Sequence, residues 1–197
     1  MSLRAPGAGN DDVPATPTET TRPMTYRYCP LCAEPLITLP DGNDAGLPGC
    51  ATGHFVNYAN PAVTTFAFIE DDGRYLALRR AHEPLVGTWD MPGGFVEAGE
   101  YPDDAIRREI LEETGLEVDD LEVFGAWTGQ YGDGGKWTVD IAYRCRKVAG
   151  EFAMSAEKSE AIWVPLDEFP EPAFNSERIA LEVLRARAEA RNFRVPT

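Results

Sequence analysis

The stretch from Gly94 to Leu116 constrains this chain more than any other. Pro102 suits the first turn of a helix, where a missing N–H costs nothing, and Gly115 suits the residue just past its end. The punctuation therefore predicts a helix over 102–114. At about 100° per residue, Glu109, Glu112 and Glu113 share one face of it. Like charges three and four apart destabilise a bare helix by about 0.2–0.5 kcal/mol per pair, and Arg108, four before Glu112, relieves only part of this. Such a face is either solvated acidic surface or a set of oxygen ligands. Pro92-Gly93-Gly94 just ahead favours ligands, because a backbone without side chains can bring its carbonyls close to whatever the carboxylates hold. Hard cations such as Mg2+ accept that mixture.

Around this helix the chain alternates strands and turns. Residues 63–69 are β-branched and aromatic, Glu70-Asp71-Asp72-Gly73 turns, and residues 75–78 answer, which reads as a hairpin. Further strands are expected at 121–127, 137–146 and 161–165, with a loop at 131–135. A terminal helix begins near Asn175 or Ser176, either of which could cap it, and carries an apolar stripe of Ile179, Val183, Leu184 and Ala188. Strands with two helices predict an α+β domain over 59–197. Ahead of it lie a short turn-rich segment, 26–58, holding three of the four Cys, and a Pro-, Thr- and Asp-rich tail, 1–25, expected to be disordered.

Charge excludes one class of partner. A net charge of −15 over 197 residues argues against a surface that grips nucleic acid by its backbone. A small anionic substrate stays admissible, because a bound divalent cation inverts the local field. The longest apolar stretch, 62–69, is strand-length, so no membrane span is expected, and the N-terminus lacks a hydrophobic leader. The expected location is cytoplasmic.

The acidic helix carries a family resemblance. Gly94, five residues, Glu100, seven residues, then Arg108-Glu109-Ile110-Leu111-Glu112-Glu113-Thr114-Gly115-Leu116 matches every position of the Nudix box. The flanks agree: Arg79 or Arg80 before Pro84, Gly87-Thr88-Trp89, Pro92-Gly93-Gly94, and a Glu-x-x-Trp ending at Trp163. The resemblance implies an α/β/α sandwich with a mixed β-sheet, and hydrolysis of a phosphoanhydride with Mg2+ or Mn2+ as cofactor. It implies that Glu109 and Glu113 bind metal, that Glu112 is ligand or base, and that Gly94 adds a carbonyl. Arg108 and Glu100 would hold the carboxylates in place. A further Glu from a late loop would complete the site or activate water, and Glu157 and Glu160 are the candidates. Arg79, Arg80, Gly94, Trp127 and Tyr131 are the candidate substrate-binding residues. No Ser or Cys nucleophile is needed, and Cys145, in a strand pattern, reads as a buried core thiol.

Cys29-Pro30-Leu31-Cys32, then Cys50 and His54, gives a Cys-x2-Cys knuckle followed by Cys-x3-His. That spacing lets thiolates converge on a tetrahedral ion, and Cys3His is an accepted structural Zn2+ set. A disulfide is the alternative, disfavoured without a secretory signal. The segment resembles the zinc ribbon fronting one branch of the Nudix hydrolases. In that branch a Cys usually stands where this chain has Gly53, and His54 is its substitute.

Ribbon-bearing relatives include NADH pyrophosphatases and hydrolases of ADP-ribose or FAD. The former carry Ser-Gln-Pro-Trp-Pro-Phe soon after the box, and residues 125–130 here differ. Leu166-Asp167-Glu168-Phe169-Pro170, then Ala173-Phe174, looks more like the ADP-ribose and FAD group. Trp127, Tyr131, Trp137 and Phe174 could stack on a nucleotide ring. The resemblance thus implies a small-molecule nucleotide partner, with a homodimer admissible. NADH or dinucleoside polyphosphates are the alternative substrates. A non-catalytic ADP-ribose sensor is the rival reading, opposed by the intact box. An RNA-end hydrolase is the other, opposed by a ribbon whose one cation is Arg27.

Overall fold

The computed structural model describes residues 26–132 and 135–192. The tail expected at 1–25 lies outside them. The chain divides into two units, one ending at Ala59 and the other beginning at Asn60. In the first, β1 (Ile37–Thr38) pairs antiparallel with β2 (Pro48–Gly49), and an isolated bridge joins Tyr28 to Pro35.

The second unit is a mixed sheet between two helices. Its strands are β3 (Ala62–Asp71), β4 (Arg74–Arg80), β5 (Trp89–Asp90), β6 (Gly93–Phe95), β7 (Glu117–Tyr131), β8 (Lys136–Ala149) and β9 (Lys158–Val164). The hairpin forms as the turn residues predict, with Asp71 opposite Arg74. β3 runs parallel to β8 and is flanked on its other edge by β4 and β6, while β9 pairs with β4. Helix α1 (Pro102–Thr114) matches the predicted span, and Gly115 closes it in the left-handed region at φ 69°.

Alternation along the strands sorts the core into two layers. From β3 and β4, Phe66, Phe68, Tyr75 and Ala77 pack with Ala180, Leu181 and Leu184 of α2 (Asn175–Asn192). Their neighbours Ala67, Ile69, Leu76 and Leu78 pack with Ile106 and Ile110 of α1. The result is the α/β/α sandwich. Cys145 is buried in the α1 layer, and burial pushes its thiol up to about 12, so it is core and not a nucleophile.

Two local features differ from expectation. Neither Asn175 nor Ser176 is the residue flanking α2. Phe174 holds that place, since its carbonyl accepts the first helical bond from the Arg178 N–H at 3.1 Å. The Glu177 carboxylate reaches back to accept the Phe174 N–H at 3.3 Å, half of a capping box. In β9, register slips between its partners Arg79 and Arg80, which face Glu160 and Lys158 and skip Ser159. A one-residue slip moves a side chain to the other face of a sheet. Lys158 therefore lies under α1, where simple alternation from Ala161 would have turned it away.

Candidate active site

Where α1, β6 and the start of β9 meet, a cavity of about 620 Å3 opens. Glu109, Glu112, Glu113 and Glu157 line it together, as do Gly93 and Gly94. The glycines are there for space. A Cβ on Gly94 would stand 2.4 Å from the Glu109 carboxylate, and one on Gly93 would stand 2.2 Å from the Thr65 carbonyl.

Arg108 organises the exposed side of this acidic wall. Its guanidinium donates to Glu100 at 2.9 and 3.1 Å, to Glu109 at 2.8 Å, to Glu112 at 3.2 Å and to the Phe95 carbonyl at 3.1 Å. The same hydrogen bonds hold the Glu100 carboxyl below its ordinary range. Glu113 is fixed from the inside: one oxygen accepts the Gly93 N–H at 3.2 Å and the other lies 2.8 Å from Lys158 Nζ. Lys158 also reaches Asp90 at 3.4 Å, and Arg80 donates to Asp90 at 2.6 Å. Burial would raise the Asp90 carboxyl, but Lys158, a hydrogen bond with Glu177 and Arg80 together hold it below the ordinary value. Glu177, buried beside Asp90, is pushed well up. Local spacing gave no sign of Lys158, Asp90 or Glu177, because each meets its partners only across elements.

The carboxylates outnumber the cations that face them. Burial lifts Glu113 to about 7, and burial with repulsion from Glu112 and Glu157 lifts Glu109 above its ordinary range. Hard oxygens crowded in this way, one of them set against a glycine backbone, are a donor set that a divalent cation would relieve. The residues fit such an ion.

A pH dependence of stability follows. Glu113 and Glu109 hold their protons more tightly folded than unfolded, so between the ordinary range and about 7 the folded chain binds more protons. Stability must then fall as pH rises through that window. Asp90 has the opposite shift, but its contribution is already complete above the ordinary carboxyl range, so it does not compensate. Urea unfolding of metal-free protein is expected to show a lower midpoint at about pH 8 than at about pH 5.5, with Mg2+ restoring it at the higher pH. Equal midpoints without metal would contradict the burial of Glu113.

The remaining sequence candidates separate in space. Arg80 and Tyr131 line the cavity, where the Tyr131 ring stacks on Phe174 at 5.7 Å and 15°, and the Arg80 guanidinium lies 5.1 Å from the Phe174 centroid. Arg79 and Glu160 pair with each other at 2.9 Å, both about half exposed, and are not among the lining residues. Trp127 is not among them either. It folds back across Gly125, where a Cβ would meet its ring at 2.2 Å, and packs edge-on to Phe124 against the α2-side core.

In the N-terminal unit, one ligand atom from each of Cys29, Cys32, Cys50 and His54 lies within 4.8 Å of the other three. The Thr52 hydroxyl sits 3.0 Å from Cys50 Sγ and 3.3 Å from His54 Nδ1. Its hydrogen bond to Cys50 pulls that thiol down to about 6. Gly53 takes φ 76° in the turn that brings His54 in. Three thiols and an imidazole so gathered fit a tetrahedral Zn2+.

The chain is similar to known proteins. An ADP-ribose pyrophosphatase of Methanocaldococcus jannaschii is 33% identical over 128 residues, 65% of this chain and 76% of that protein. The nucleoside triphosphatase NudI of Escherichia fergusonii is 33% identical over 108 residues, 49% of this chain and 76% of that one. The crystal structure of a NUDIX hydrolase from Nitrosomonas europaea superposes with a TM-score of 0.66 at 24% identity, covering 87% of this chain and 96% of that one, a likeness of fold. Among the described residues no helix is long and apolar enough to cross a membrane. The NUDIX domain model matches residues 59–184, which takes in the sheet, α1 and the whole acidic wall. This chain therefore belongs to the Nudix family of hydrolases.

Proposed function

We propose that the protein hydrolyses the phosphoanhydride bond of a nucleoside diphosphate linked to a second group, with ADP-ribose or FAD as the substrate class. The supporting observation is the two-part cavity. Glu109, Glu112, Glu113 and Glu157 line it together with the Tyr131–Phe174 stack and Arg80, so one space offers a wall for a metallated diphosphate and rings for a base. Its volume of about 620 Å3 lies within the usual range for a small-molecule site. The 33% identity to an ADP-ribose pyrophosphatase supports the same class.

Glu109 and Glu113, with Glu112 and Gly94 beside them, would hold Mg2+ or Mn2+. When bound, such ions neutralise charge on phosphoryl oxygens and lower the pKa of water. The chain does the positioning. Arg108 and Lys158 fix the carboxylates from opposite sides, and the aromatic pair orients the base. Of the two late-loop candidates, Glu157 is assigned to accept the proton of the attacking water, because it shares the cavity while Glu160 is bound to Arg79.

Cleavage at the anhydride gives AMP and ribose 5-phosphate from ADP-ribose, and AMP and FMN from FAD. A panel of ADP-ribose, FAD, NADH, dinucleoside polyphosphates and nucleoside triphosphates, run in heavy-oxygen water, tests this. The label is expected on the phosphate of a single product. Free adenine or nicotinamide as the first product would overturn the mechanism, and a nucleoside triphosphate turned over much faster would overturn the substrate class.

A further inference from the structure

One buried acid in the cavity takes no part in the acidic wall. Asp140 stands on β8, opposite Thr64 of β3 and Trp127 of β7. It is 7% exposed and lines the cavity. One oxygen accepts the Thr64 hydroxyl at 2.5 Å, and no other hydrogen bond or ion pair reaches the carboxylate among the described residues. Its second oxygen has room only because residue 129 is glycine. A Cβ there would stand 2.1 Å from Asp140 Oδ2 and 2.9 Å from the Thr138 hydroxyl. Leaving a buried carboxylate without a partner is costly, and the other buried acids of this cavity have one: Asp90 has Arg80 and Lys158, Glu113 has Lys158, and Glu177 hydrogen-bonds Asp90 and the Phe174 N–H.

The second oxygen thus lacks a hydrogen-bond donor. A metal is a poor answer, because one carboxylate with two threonine hydroxyls is far short of the ligand set a hard cation takes. A phosphate is a worse one, since the charges are alike. A neutral N–H or O–H donor fits, in the same cavity as the rings of Tyr131 and Phe174. We propose that Asp140 is a specificity residue that accepts a hydrogen bond from the nucleoside half of the substrate, through the purine exocyclic amine or a ribose hydroxyl. This rests on the nucleotide reading of the cavity and deepens it. It also orients the substrate, because a carboxylate at this point repels the diphosphate from the nucleoside end.

The test measures binding, so it stands apart from the identity of the hydrolysed substrate. AMP, IMP and 2′-deoxy-AMP are titrated calorimetrically with Mg2+ into the full chain and into Asp140→Asn. A site built around a donor rejects the analogue lacking it, so the wild type is expected to prefer AMP by at least about tenfold over IMP if the amine is read, or over 2′-deoxy-AMP if the ribose is. Asp140→Asn should reduce that ratio to within about threefold of unity, since the amide offers only one acceptor oxygen. Gly129→Ala, which displaces the carboxylate without touching the ligand, should weaken AMP in parallel and keeps the test decisive if Asp140→Asn folds poorly. Unchanged ratios in Asp140→Asn, or wild-type AMP affinity in Gly129→Ala, would overturn the assignment. Failure of ADP-ribose hydrolysis would leave it standing.

Discussion

Glu113→Gln is expected to reduce kcat by well over about a hundredfold, because even outer residues of a metal site typically cost 10–100-fold and Glu113 is assigned to the metal itself. Glu109→Gln should behave alike. The fold should survive both. Burial already lifts the Glu113 carboxyl to about 7, so a neutral amide suits its surroundings, and its oxygen can still accept the Gly93 N–H. Lys158 keeps Asp90 as a partner at 3.4 Å, so no buried cation is stranded. Glu160→Gln is the control. Its pair with Arg79 is half exposed, worth at most about 1 kcal/mol, so turnover should change by less than about fivefold. Kinetics with each substrate of the panel, beside thermal unfolding, checks all three. Near-native activity in Glu113→Gln with Mg2+ would remove the metal assignment. A collapse in Glu160→Gln would move the base away from Glu157.

Removing zinc should undo the N-terminal unit. A two-residue-per-strand sheet and two isolated bridges cannot hold a segment of this size, whereas structural zinc supplies an apparent ~10–16 kcal/mol in small zinc-bound peptides. Reduced, freshly purified protein is expected to carry about one zinc per chain. Hydrogen exchange after chelation should show residues 26–58 losing protection while the β3–β8 ladder keeps its own. Cys29→Ser should act as the chelator does. Absence of zinc by elemental analysis, with protection of 26–58 intact, would overturn the site.

What could be read along the chain were the features whose cause is local. Pro102 and Gly115 delimit α1 because one lacks an N–H and the other tolerates positive φ, and both act within a turn of where they stand. The carboxylate face follows from helical spacing alone, and the Arg108–Glu112 pair forms as that spacing requires, at 3.2 Å. The hairpin and each half of the Cys3His set, Cys29 with Cys32 and Cys50 with His54, obey the same short-range logic. Strand ends did not. β7 runs from Glu117 to Tyr131 and β8 on to Ala149, beyond the expected 121–127 and 137–146, because ladder hydrogen bonds extend a strand through polar residues that carry no pattern.

Other features were decided only when elements met. The slip in β9 chose which face Lys158 occupies, and a bulge leaves no mark in a sequence that otherwise alternates. Regular pairing before the slip sets Glu160 against Arg79, while Glu157 is left at the cavity, a choice that spacing from Trp163 could not make. Trp127 was claimed by the core and Tyr131 by Phe174, two aromatic residues four apart whose fates depend on what lies across from them. Asp140 looks like any polar residue in a strand until Thr64, Gly129 and the cavity are placed around it. A helix face or a turn is determined by bonds within a few residues, but the state of a buried charge depends on its neighbours in space. The acidic face of the helix was therefore set by sequence spacing, and the tertiary structure decided which residues hold its carboxylates in place and which line the cavity.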